Sequence, residues 1–548
     1  MKLRTALLVT ISSLWGVAES EACTSLLVGK NASADGSTMI TYAADSHTLY
    51  GELYSFPAAK WPNDAMLDIH VWDTGKLLGK IPQVGETYSV LGNMNEYQVT
   101  ISETIFGGRP ELVNPKGGID YGSLIYIALQ RSRSAREAIH IMTSLVSEHG
   151  YYSSGESFSI ADPNEIWIME MIGKGPDVKG AVWVAVRIPD DCIAAHANQS
   201  RIHSFPLNDK DNCIYSSDVI SFAREKNYFN GLNKDFSFTD AYCPLTYENL
   251  RVCEARVWSF FRRFQPDMES ALSYIKGETK EPMSLYIKPK VKLSAQDLKD
   301  MMRDHYEGTE FDMTKDPGAG PFALPYRWHP LTYKVDSVEY MNERAIATQQ
   351  TGFSFVAQMR SWIPNPIGGV LWFGVDDAAT AVYTPIYCGS KQVPFCYASG
   401  NGSLTTYSSQ SFFWINNQVA NMAYSRYSVM MQDIHPVMKE LETFFNQDIG
   451  VTDQYAEMLY NKDKEQCSQY ITEQTLMKAQ YAFDRWKKLS EFLLVRYIDG
   501  NIKKVDNGHF LLTPEGHTAP PDQPGYDERY YRSIVKENGE RLKVKEMK

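Results

Sequence analysis

The chain has 548 residues, of which 43% are hydrophobic and 22% charged, a composition typical of a globular protein with a sizeable core. Its formal net charge of −12 argues against nucleic acid or an anionic membrane surface as a partner. Beyond the first 22 residues, no apolar run of the sequence approaches the roughly 18 residues of a membrane span. We therefore expect no nucleic-acid partner and no membrane span in the mature chain. The sequence does not decide whether the chain forms a homo-oligomer.

The first 22 residues have the pattern of a secretory leader. Two basic residues come first, residues 5–17 form a short apolar stretch, and Ser20 and Ala22 are the small residues expected before a cleavage site. Cleavage after Ala22 would make Cys23 the first residue of the mature chain. We therefore expect an exported protein, periplasmic or extracellular.

An N-terminal cysteine would carry its thiol and a free α-amino group on the same residue. The amine, with a reference pKa of roughly 7.7–8.0, is partly neutral near pH 7 and can accept the proton of a thiol whose reference pKa is about 8.5. Two alternatives remain open. Cys23 could follow the leader by chance, or it could be a lipoprotein cysteine, although Ser20 stands where lipoprotein processing prefers a leucine-like residue. Lipid modification would block the amine, so it excludes a nucleophilic role.

The eight cysteines allow disulfides, because an exported chain meets an oxidising compartment. Pairs such as Cys243–Cys253 or Cys388–Cys396 are candidates, and without Cys23 the other seven leave at least one thiol unpaired. Buried free thiols are the alternative. The sequence has no C-x-x-C or H-E-x-x-H pattern, so it predicts neither a metal site nor a cofactor.

The residues up to about 202 predict strands interrupted by one pair of helices. A capping box at Ser134 and Glu137 starts the second helix, and Gly150 closes it. The predicted helices are Tyr121–Gln130 and Ser134–Glu148. The predicted strands are Thr24–Val28, Ser37–Ala43, Tyr88–Leu91, Tyr97–Ile101, Ser157–Ala161, Ile166–Ile172, Ala181–Ile188 and Cys192–His196. This order indicates helices packed on sheets in layers.

The rest of the chain predicts a helix, a loop, further strands and two long helices. These are the helix Ser294–Tyr306, a long ordered loop at Glu307–Trp328, strands that include Gly369–Phe373 and Ala381–Tyr387, and helices Gln410–Phe445 and Tyr455–Tyr497. An exposed tail is expected beyond Pro514. The predicted organisation is a leader at 1–22, one domain with insertions at 23–500, and a C-terminal tail at 501–548.

Two asparagine clusters lie among the predicted strands, at Gly92–Tyr97 and Ala195–Ser200. Attack on an amide carbonyl requires donors for the oxyanion, and asparagine amides are suitable neutral donors. The alternative for each asparagine is a structural role in a turn. Asn198 and Asn401 also begin glycosylation sequons, which matter only in a eukaryotic secretory host.

The block Cys23–Lys30, followed by Asp35–Ile40, resembles the start of the bacterial dipeptidase A family of N-terminal-nucleophile cysteine peptidases. Secernins, penicillin V acylases and conjugated bile salt hydrolases are its more distant relatives. The resemblance continues through 92–104, 195–202 and later blocks, and so covers most of the chain after the leader. The opening block together with both asparagine clusters makes it fairly specific.

The resemblance implies an α+β fold, a four-layer αββα sandwich with additional C-terminal helices. It makes the thiol of Cys23 the attacking group and the α-amine of the same residue the general base. Asp45 resembles the aspartate that orients this amine, and its alternative is a solvated turn acid. One position departs from the family. Many relatives carry an arginine three residues before the aspartate, where this chain has Tyr42.

The same resemblance suggests supporting residues. Asn95 and Asn198 match the oxyanion-hole and substrate-orienting positions, and Arg256 is a better match than Arg251 for a supporting arginine. A dipeptide also carries a free ammonium near the scissile bond, and a buried ammonium needs a carboxylate partner. Glu103 is the candidate, against the alternative of an ordinary surface glutamate.

The sequence therefore predicts an exported, cofactor-free cysteine dipeptidase, a hydrolase that acts on small peptides. One alternative is an amidase that acts on N-acyl substrates, which would not require a free amino group on the substrate. The other is a non-catalytic exported binding protein, in which Cys23 would be unreactive.

Overall fold

The computed structural model describes residues 23–547, so the predicted leader lies outside the described residues. The chain has the mixed architecture of an α+β protein, in which antiparallel sheets and helices come from separate stretches of sequence. Within residues 23–547, no helix is long and apolar enough to cross a membrane.

The first large sheet contains the start of the described chain. In spatial order its strands are Tyr286–Ile287, Ile193–His196, Ser25–Val28, Thr38–Asp45, Thr351–Met359, Val370–Val375 and Thr384–Tyr387. All neighbouring strands in it are antiparallel. Because Ser25 pairs with His196 in this ladder, the residues just after His196 lie beside Cys23. The register thus joins two segments that the sequence separates by more than 160 residues.

The second large sheet lies against the first. In spatial order its strands are Cys213–Tyr215, Ala181–Ile188, Ile166–Gly173, Gly155–Ala161, Thr100–Gly107, Met94–Asn95, Val90–Leu91 and Ser55–Phe56. The ring of His196, from the first sheet, lies 2.7 Å from hydroxyl oxygens of both Thr104 and Ser159 in the second. Burial lowers the pKa of His196 to about 3, so the ring is neutral, with one nitrogen donating and the other accepting. The two facing sheets are therefore joined by hydrogen bonds as well as by apolar contacts.

Helices pack against both sheets. The α-helices are Tyr121–Arg131, Ala135–His149, Val219–Glu225, Phe238–Tyr242, Tyr247–Asn249, Ala255–Phe264, Leu272–Ile275, Ala295–Met301, Asn365–Gly368, Phe412–Ser425, Tyr427–Lys462, Lys464–Tyr497 and Glu528–Asn538. The first two pack on the second sheet over a core that includes Phe158 and Trp167. Both were predicted to within a residue or two, and Ser134 caps the second as expected.

Smaller hairpins lie at the periphery. They pair Ala59–Lys60 with Glu86–Thr87, Met66–His70 with Leu77–Pro82, Thr332–Val335 with Val338–Met341, and Val505–Asp506 with His509–Phe510. The hairpin at Thr332–Met341 follows the predicted loop and was not predicted. Its exposed side chains give no periodic burial signal in the sequence.

The C-terminal helices differ from the prediction in where they break. The predicted gap between residues 445 and 455 lies inside the continuous helix Tyr427–Lys462, and the breaks occur at Arg426 and Asp463. The helix passes through Gly450, and Asp453 is buried in an ion pair with Arg360, which holds this turn against the sheet. Tertiary contacts therefore override a weak local helix propensity.

Two further predictions require correction. The helix after Ser294 begins with a capping box formed by Ser294 and Asp297, but it ends at Met301 rather than at the predicted Tyr306, which has a positive φ of 62°. All eight cysteines, which lie within the described residues, are buried free thiols, so neither Cys243–Cys253 nor Cys388–Cys396 is bonded. The structure therefore agrees with the other expectation, that the cysteines are buried free thiols.

Candidate active site

A cavity of about 320 Å³ opens beside the first residue of the described chain. This volume is at the small end of the range for ligand sites in proteins, about 300–1,000 Å³. Aromatic rings form much of its wall, together with a few polar side chains. The lining residues are Cys23, Tyr42, Ala44, Asp45, Ser46, Thr48, Leu49, Tyr54, Trp72, Asp73, Asn93, Glu103, Tyr121, Gly122, Ile125, Tyr126 and Phe353.

The thiol of Cys23 lies in the wall of this cavity, directly before the strand Ser25–Val28. Its Sγ is 3.8 Å from the hydroxyl oxygen of Tyr42 and 3.8 Å from Oε1 of Glu103. Burial, followed by the negative charges of Glu103 and Asp45, raises the pKa of the thiol well above its usual value. Hydrogen bonds from the Asp45 backbone and from Tyr42 act in the opposite direction. On balance these surroundings favour the protonated thiol.

Tyr42 lies three residues before Asp45, at the position where the resemblance led us to expect an arginine. Its ring makes edge contacts with Phe353 and Phe355, at centroid distances of 5.7 and 5.8 Å, and its hydroxyl donates to Oε1 of Glu103. Burial, with the charges of Cys23 and Glu103, raises the pKa of Tyr42 well above its usual value. A neutral hydroxyl thus stands next to the sulfur where an arginine would place a positive charge.

Asp45 ends the strand Thr38–Asp45 and faces the same cavity. One carboxylate oxygen accepts from the guanidinium of Arg344 at 2.5 Å, and the other accepts from the hydroxyl of Thr351 at 2.7 Å. Asp45 is 1% exposed, so it is not the solvated turn acid considered as its alternative. The structure brings this predicted residue next to Cys23 and fixes its orientation.

Arg256 supports the backbone that carries the thiol. Its five N–H groups reach five acceptors, the carbonyl oxygens of Cys23, Ala197 and Val252 and the side-chain oxygens of Thr24 and Asn198, at 2.6–3.1 Å. This uses the full donor set of a guanidinium. Arg256 is 1% exposed, and burial, together with the charge of Arg344, lowers its pKa to about 10.

The helix that carries Arg256 contains a π-helical turn at Leu250–Glu254, one turn before this arginine. Such turns are rare and are frequent at functional sites. Arg251, the rejected alternative, instead forms an ion pair with Glu343 and a hydrogen bond with Tyr247. The structure therefore brings Arg256, and not Arg251, to Cys23.

Asn198 lies behind Cys23 rather than in the wall of the cavity. Its Oδ1 accepts from Arg256 at 3.0 Å and its Nδ2 donates to the carbonyl of Ile105 at 2.8 Å. The backbone of Asn198 has a positive φ of 63°, a conformation that asparagine tolerates better than most residues. Asn198 thus connects Arg256 to the second sheet.

Asn95 does not lie where the sequence analysis expected it. Its Nδ2 donates to the carbonyl oxygens of Leu129 and Ser132, and its Oδ1 accepts from the backbone N–H groups of Tyr97 and Val99. All four bonds hold a turn and the end of a helix, and Asn95 is absent from the lining of the cavity. The placement of Asn95 therefore fits the alternative expectation, in which this asparagine has a structural role in a turn.

The asparagine of this cluster that lines the cavity is Asn93, two residues earlier. Its Nδ2 donates to the carbonyl of Ile101 at 2.9 Å, and its Oδ1 lies 3.5 Å from the hydroxyl of Tyr126. An amide nitrogen carries two hydrogens. One of them is therefore left to donate to a ligand in the cavity.

The cavity has an acidic character. Glu103 is 1% exposed, so it is not an ordinary surface glutamate. On another part of the wall, Asp73 accepts from the hydroxyl of Tyr121 at 2.8 Å, and burial and the charge of Asp120 raise the pKa of Asp73. None of the described residues that line the cavity is lysine, arginine or histidine. The arrangement favours a ligand with a positively charged group.

The sequence analysis missed Asn93, Asp73 and Arg344. Asn93 was inside the quoted cluster, but residues 91–95 are all buried, so no alternation in the sequence separates it from Asn95. Arg344 lies 299 residues after Asp45 in a segment without a regular pattern, so no local signal was available for it. The same holds for Asp73, a single acid in a turn.

Comparison with known sequences identifies the family to which this protein belongs. The chain matches Peptidase family C69 over residues 22–440, which is more than half of its length. The protein is therefore a hydrolase that acts on peptide bonds. It belongs to peptidase family C69, and the resemblance drawn from the opening block and the two asparagine clusters is confirmed.

Similar curated proteins share most of their length with this chain. A protein of Latilactobacillus sakei named "Probable dipeptidase" is 27% identical over 461 residues, covering 80% of this chain and 89% of the relative. Another of that name from Salmonella dublin is 28% identical, covering 69% and 84%. "Probable dipeptidase B" of Streptococcus pyogenes serotype M1 is 23% identical, covering 89% and 95%.

Proposed function

We propose that this protein is an exported dipeptidase that uses the thiol of Cys23 as its nucleophile. Three observations support the proposal: the membership of peptidase family C69, the relatives named as probable dipeptidases, and the position of Cys23 in the wall of a cavity of about 320 Å³. The last observation carries the most weight, because it puts a thiol next to a space that fits a small peptide. Export is inferred from the leader pattern in the first 22 residues.

The chemistry begins with proton transfer inside Cys23. The neutral α-amine, freed when the leader is removed, takes the thiol proton, and the thiolate attacks the carbonyl carbon of the peptide bond. Asp45, held by Arg344, orients the resulting ammonium, and Arg256 holds the carbonyl of Cys23 still during attack. The ammonium then donates its proton to the leaving amine. Water, activated by the same amine, hydrolyses the acyl-enzyme.

The oxyanion of the tetrahedral intermediate requires hydrogen-bond donors. The amide of Asn93 is the side-chain donor that we assign to it, since Asn93 lines the cavity and one of its N–H groups remains for a ligand. Asn93 therefore replaces Asn95, which the sequence analysis expected as the oxyanion donor. For Asn198 we propose a positioning role through Arg256, because both polar atoms of its side chain already have partners.

The acidic cavity distinguishes a dipeptide from the substrates of the amidase alternative. The substrate ammonium would lie against Glu103, whose carboxylate is buried beside the sulfur. Penicillins and conjugated bile salts carry no free ammonium close to the amide that would be cleaved, so they offer Glu103 no positively charged partner. The cavity therefore favours dipeptides.

For the fold, we propose the four-layer αββα arrangement of N-terminal-nucleophile hydrolases. It is supported by the hydrogen bonds between the facing sheets at His196 and by helices packed against each sheet. In this arrangement the nucleophile lies at the start of an inner strand, and Cys23 lies two residues before Ser25–Val28, an inner strand of the first sheet.

One experiment tests the proposed function directly. The chain is expressed with its leader, the mature N-terminus is sequenced by mass spectrometry, and hydrolysis of Ala-Ala is compared with that of N-acetyl-Ala-Ala. We expect a mature chain that begins at Cys23 and cleaves only the first peptide. Equal cleavage of both peptides would instead favour the amidase, and cleavage of neither would favour a binding protein.

A further inference from the structure

A second cavity, of about 270 Å³, lies next to the cavity that contains Cys23. Both cavities are lined by Tyr121 and Asp73, and the hydroxyl of Tyr121 donates to the carboxylate of Asp73 at 2.8 Å. Because the same two side chains form a wall of each cavity, they divide one cleft into two compartments. The other residues that line the second cavity are Val71, Ile105, Val113, Pro115, Tyr152, Ser153, Ser154 and Glu156.

The strand Thr100–Gly107 runs along both compartments. Glu103 lines the cavity of Cys23, and Ile105 lines the second cavity. Side chains two positions apart on a strand point to the same face and are about 7 Å apart. The second cavity therefore begins one side-chain position beyond the carboxylate that we assign to the substrate ammonium.

The walls of the second cavity are mainly apolar. Hydrocarbon surface comes from Val71, Ile105, Val113, Pro115 and the ring of Tyr152. Two polar groups in the wall already have partners, since the hydroxyl oxygen of Ser153 accepts from the backbone N–H of Tyr121 at 2.9 Å and Asp73 accepts from the Tyr121 hydroxyl. Burial of an apolar group against such walls is favourable, whereas burial of a charged group is costly.

We propose that the second cavity binds the side chain of the N-terminal residue of the dipeptide, so that the enzyme prefers large apolar residues such as leucine or phenylalanine at that position. This assignment rests on the proposed function, in which the scissile carbonyl lies at Cys23 and the ammonium at Glu103. The side chain is the remaining substituent on the same Cα, and it passes Tyr121 into the second cavity. The C-terminal residue lies on the other side of the scissile bond, so its side chain does not reach this cavity.

Hydrolysis of two isomeric dipeptides by the wild-type enzyme tests this assignment. Phe-Ala and Ala-Phe have the same composition, but only Phe-Ala carries its ring on the N-terminal residue. We expect kcat/KM for Phe-Ala to exceed that for Ala-Ala by about tenfold or more, mainly through a lower KM, because the ring gains apolar contacts. Ala-Phe should show no such gain, and Lys-Ala should be poorer than Phe-Ala because it would bury a charge. A preference for Ala-Phe or for Lys-Ala over Phe-Ala would overturn the inference.

Filling the second cavity tests the same assignment from the side of the protein. Val113→Phe adds a ring at a residue that lines the second cavity and not the cavity of Cys23. The ratio of kcat/KM for Phe-Ala to that for Ala-Ala should fall by about tenfold or more, because the substrate ring loses its space. Val178→Phe, the same substitution at an exposed valine outside both cavities, is the matched control and should leave the ratio unchanged.

A second variant serves if Val113→Phe does not fold. Ser154→Phe adds a ring at another residue that lines only the second cavity, and it should lower the same ratio. Circular dichroism and thermal unfolding establish which variants are folded. An unchanged ratio in a folded variant of either residue would overturn the inference.

Failure of this assignment and failure of the dipeptidase function have different signatures. If wild type hydrolyses Ala-Ala but gains nothing from a large N-terminal residue, the second cavity has no part in specificity and the dipeptidase function stands. If wild type hydrolyses none of these dipeptides, the proposed function itself is wrong.

Discussion

Two buried aspartate–arginine pairs lie in this protein, one at the cavity and one beneath the C-terminal helices. Asp45 and Arg344 are 1% and 5% exposed, and Asp453 and Arg360 are 6% and 5% exposed. Each aspartate also accepts a hydroxyl, from Thr351 in the first pair and from Tyr387 in the second. In residue types, burial and partners the two pairs are nearly equivalent.

They differ in what lies beside them. The carboxylate of Asp45 lines the cavity next to Cys23, whereas Arg360 also donates to the carbonyls of Ile367 and Gly368 and so holds the helix Tyr427–Lys462 to the sheet. Breaking a buried ion pair destabilises a protein wherever it lies, because one charge stays buried without its partner. A buried ion pair therefore indicates a functional site only when its neighbourhood supplies a reactive group and space for a ligand.

The largest expected difference between the two regions concerns their cysteines. Cys23→Ala should leave a folded protein with no measurable dipeptidase activity, because the nucleophile is lost. Cys467→Ala, at a buried thiol in the helical region, should retain wild-type kcat within a few-fold. Hydrolysis of Ala-Ala and thermal unfolding are measured for both. Near-wild-type activity of Cys23→Ala would remove the cavity from consideration as the active site.

The next largest expected loss of activity concerns the α-amine of Cys23. One extra residue in front of Cys23 converts the amine into an amide, which cannot accept a proton, so kcat/KM should fall by about 10²–10⁴-fold, the range for a general base. An extra residue at the C-terminal end is the control and should change nothing. Trimming the N-terminal residue should restore activity. If an extended enzyme, verified by intact mass, equals the trimmed one, the base is elsewhere.

A smaller effect separates the two asparagines of one cluster. Asn93→Ala should lower kcat by about 10²–10³-fold, the usual cost of losing one oxyanion donor, with a smaller change in KM. Asn95→Ala should leave kcat within a few-fold of wild type but cost about 1–3 kcal/mol of unfolding free energy, since it leaves the carbonyls of Leu129 and Ser132 without a donor. Steady-state kinetics and urea unfolding measure the two quantities. The reverse pattern would return Asn95 to the oxyanion site.

The smallest difference is expected for the ion pairs themselves. Asp45→Asn and Asp453→Asn should each cost about 3–5 kcal/mol of unfolding free energy, as expected for breaking a buried pair. In enzyme that remains folded, Asp45→Asn should also lower kcat by up to about 10²-fold, because the amine of Cys23 loses its orientation. Asp453→Asn should leave kcat unchanged. Equal kcat values for both variants would show that Asp45 is purely structural.

Local signals in the sequence predicted much of the fold. Apolar periodicity and a capping box predicted the helices Tyr121–Arg131 and Ala135–His149 closely, because each is specified by residues only three or four positions apart. The same logic failed at residues 446–454, where the ion pair between Arg360 and Asp453 keeps a helix continuous through Gly450. A contact across more than 90 residues leaves no periodic trace in the sequence.

The candidate site likewise combines residues that local sequence signals predicted with residues that only long-range contacts bring together. The sequence by itself determined the position of Cys23 behind a leader pattern, and the resemblance to a family suggested Asp45 and Arg256 as its neighbours, because these predictions depend on short motifs. Only the tertiary structure decided that Asn93 rather than Asn95 faces the cavity, since Asn93 lies in the turn between the strands Val90–Leu91 and Met94–Asn95 while the side chain of Asn95 bonds to the end of a helix. It alone brought Arg344 to Asp45 and set Glu103 beside the thiol, because such pairs form where two sheets face each other and not along the chain.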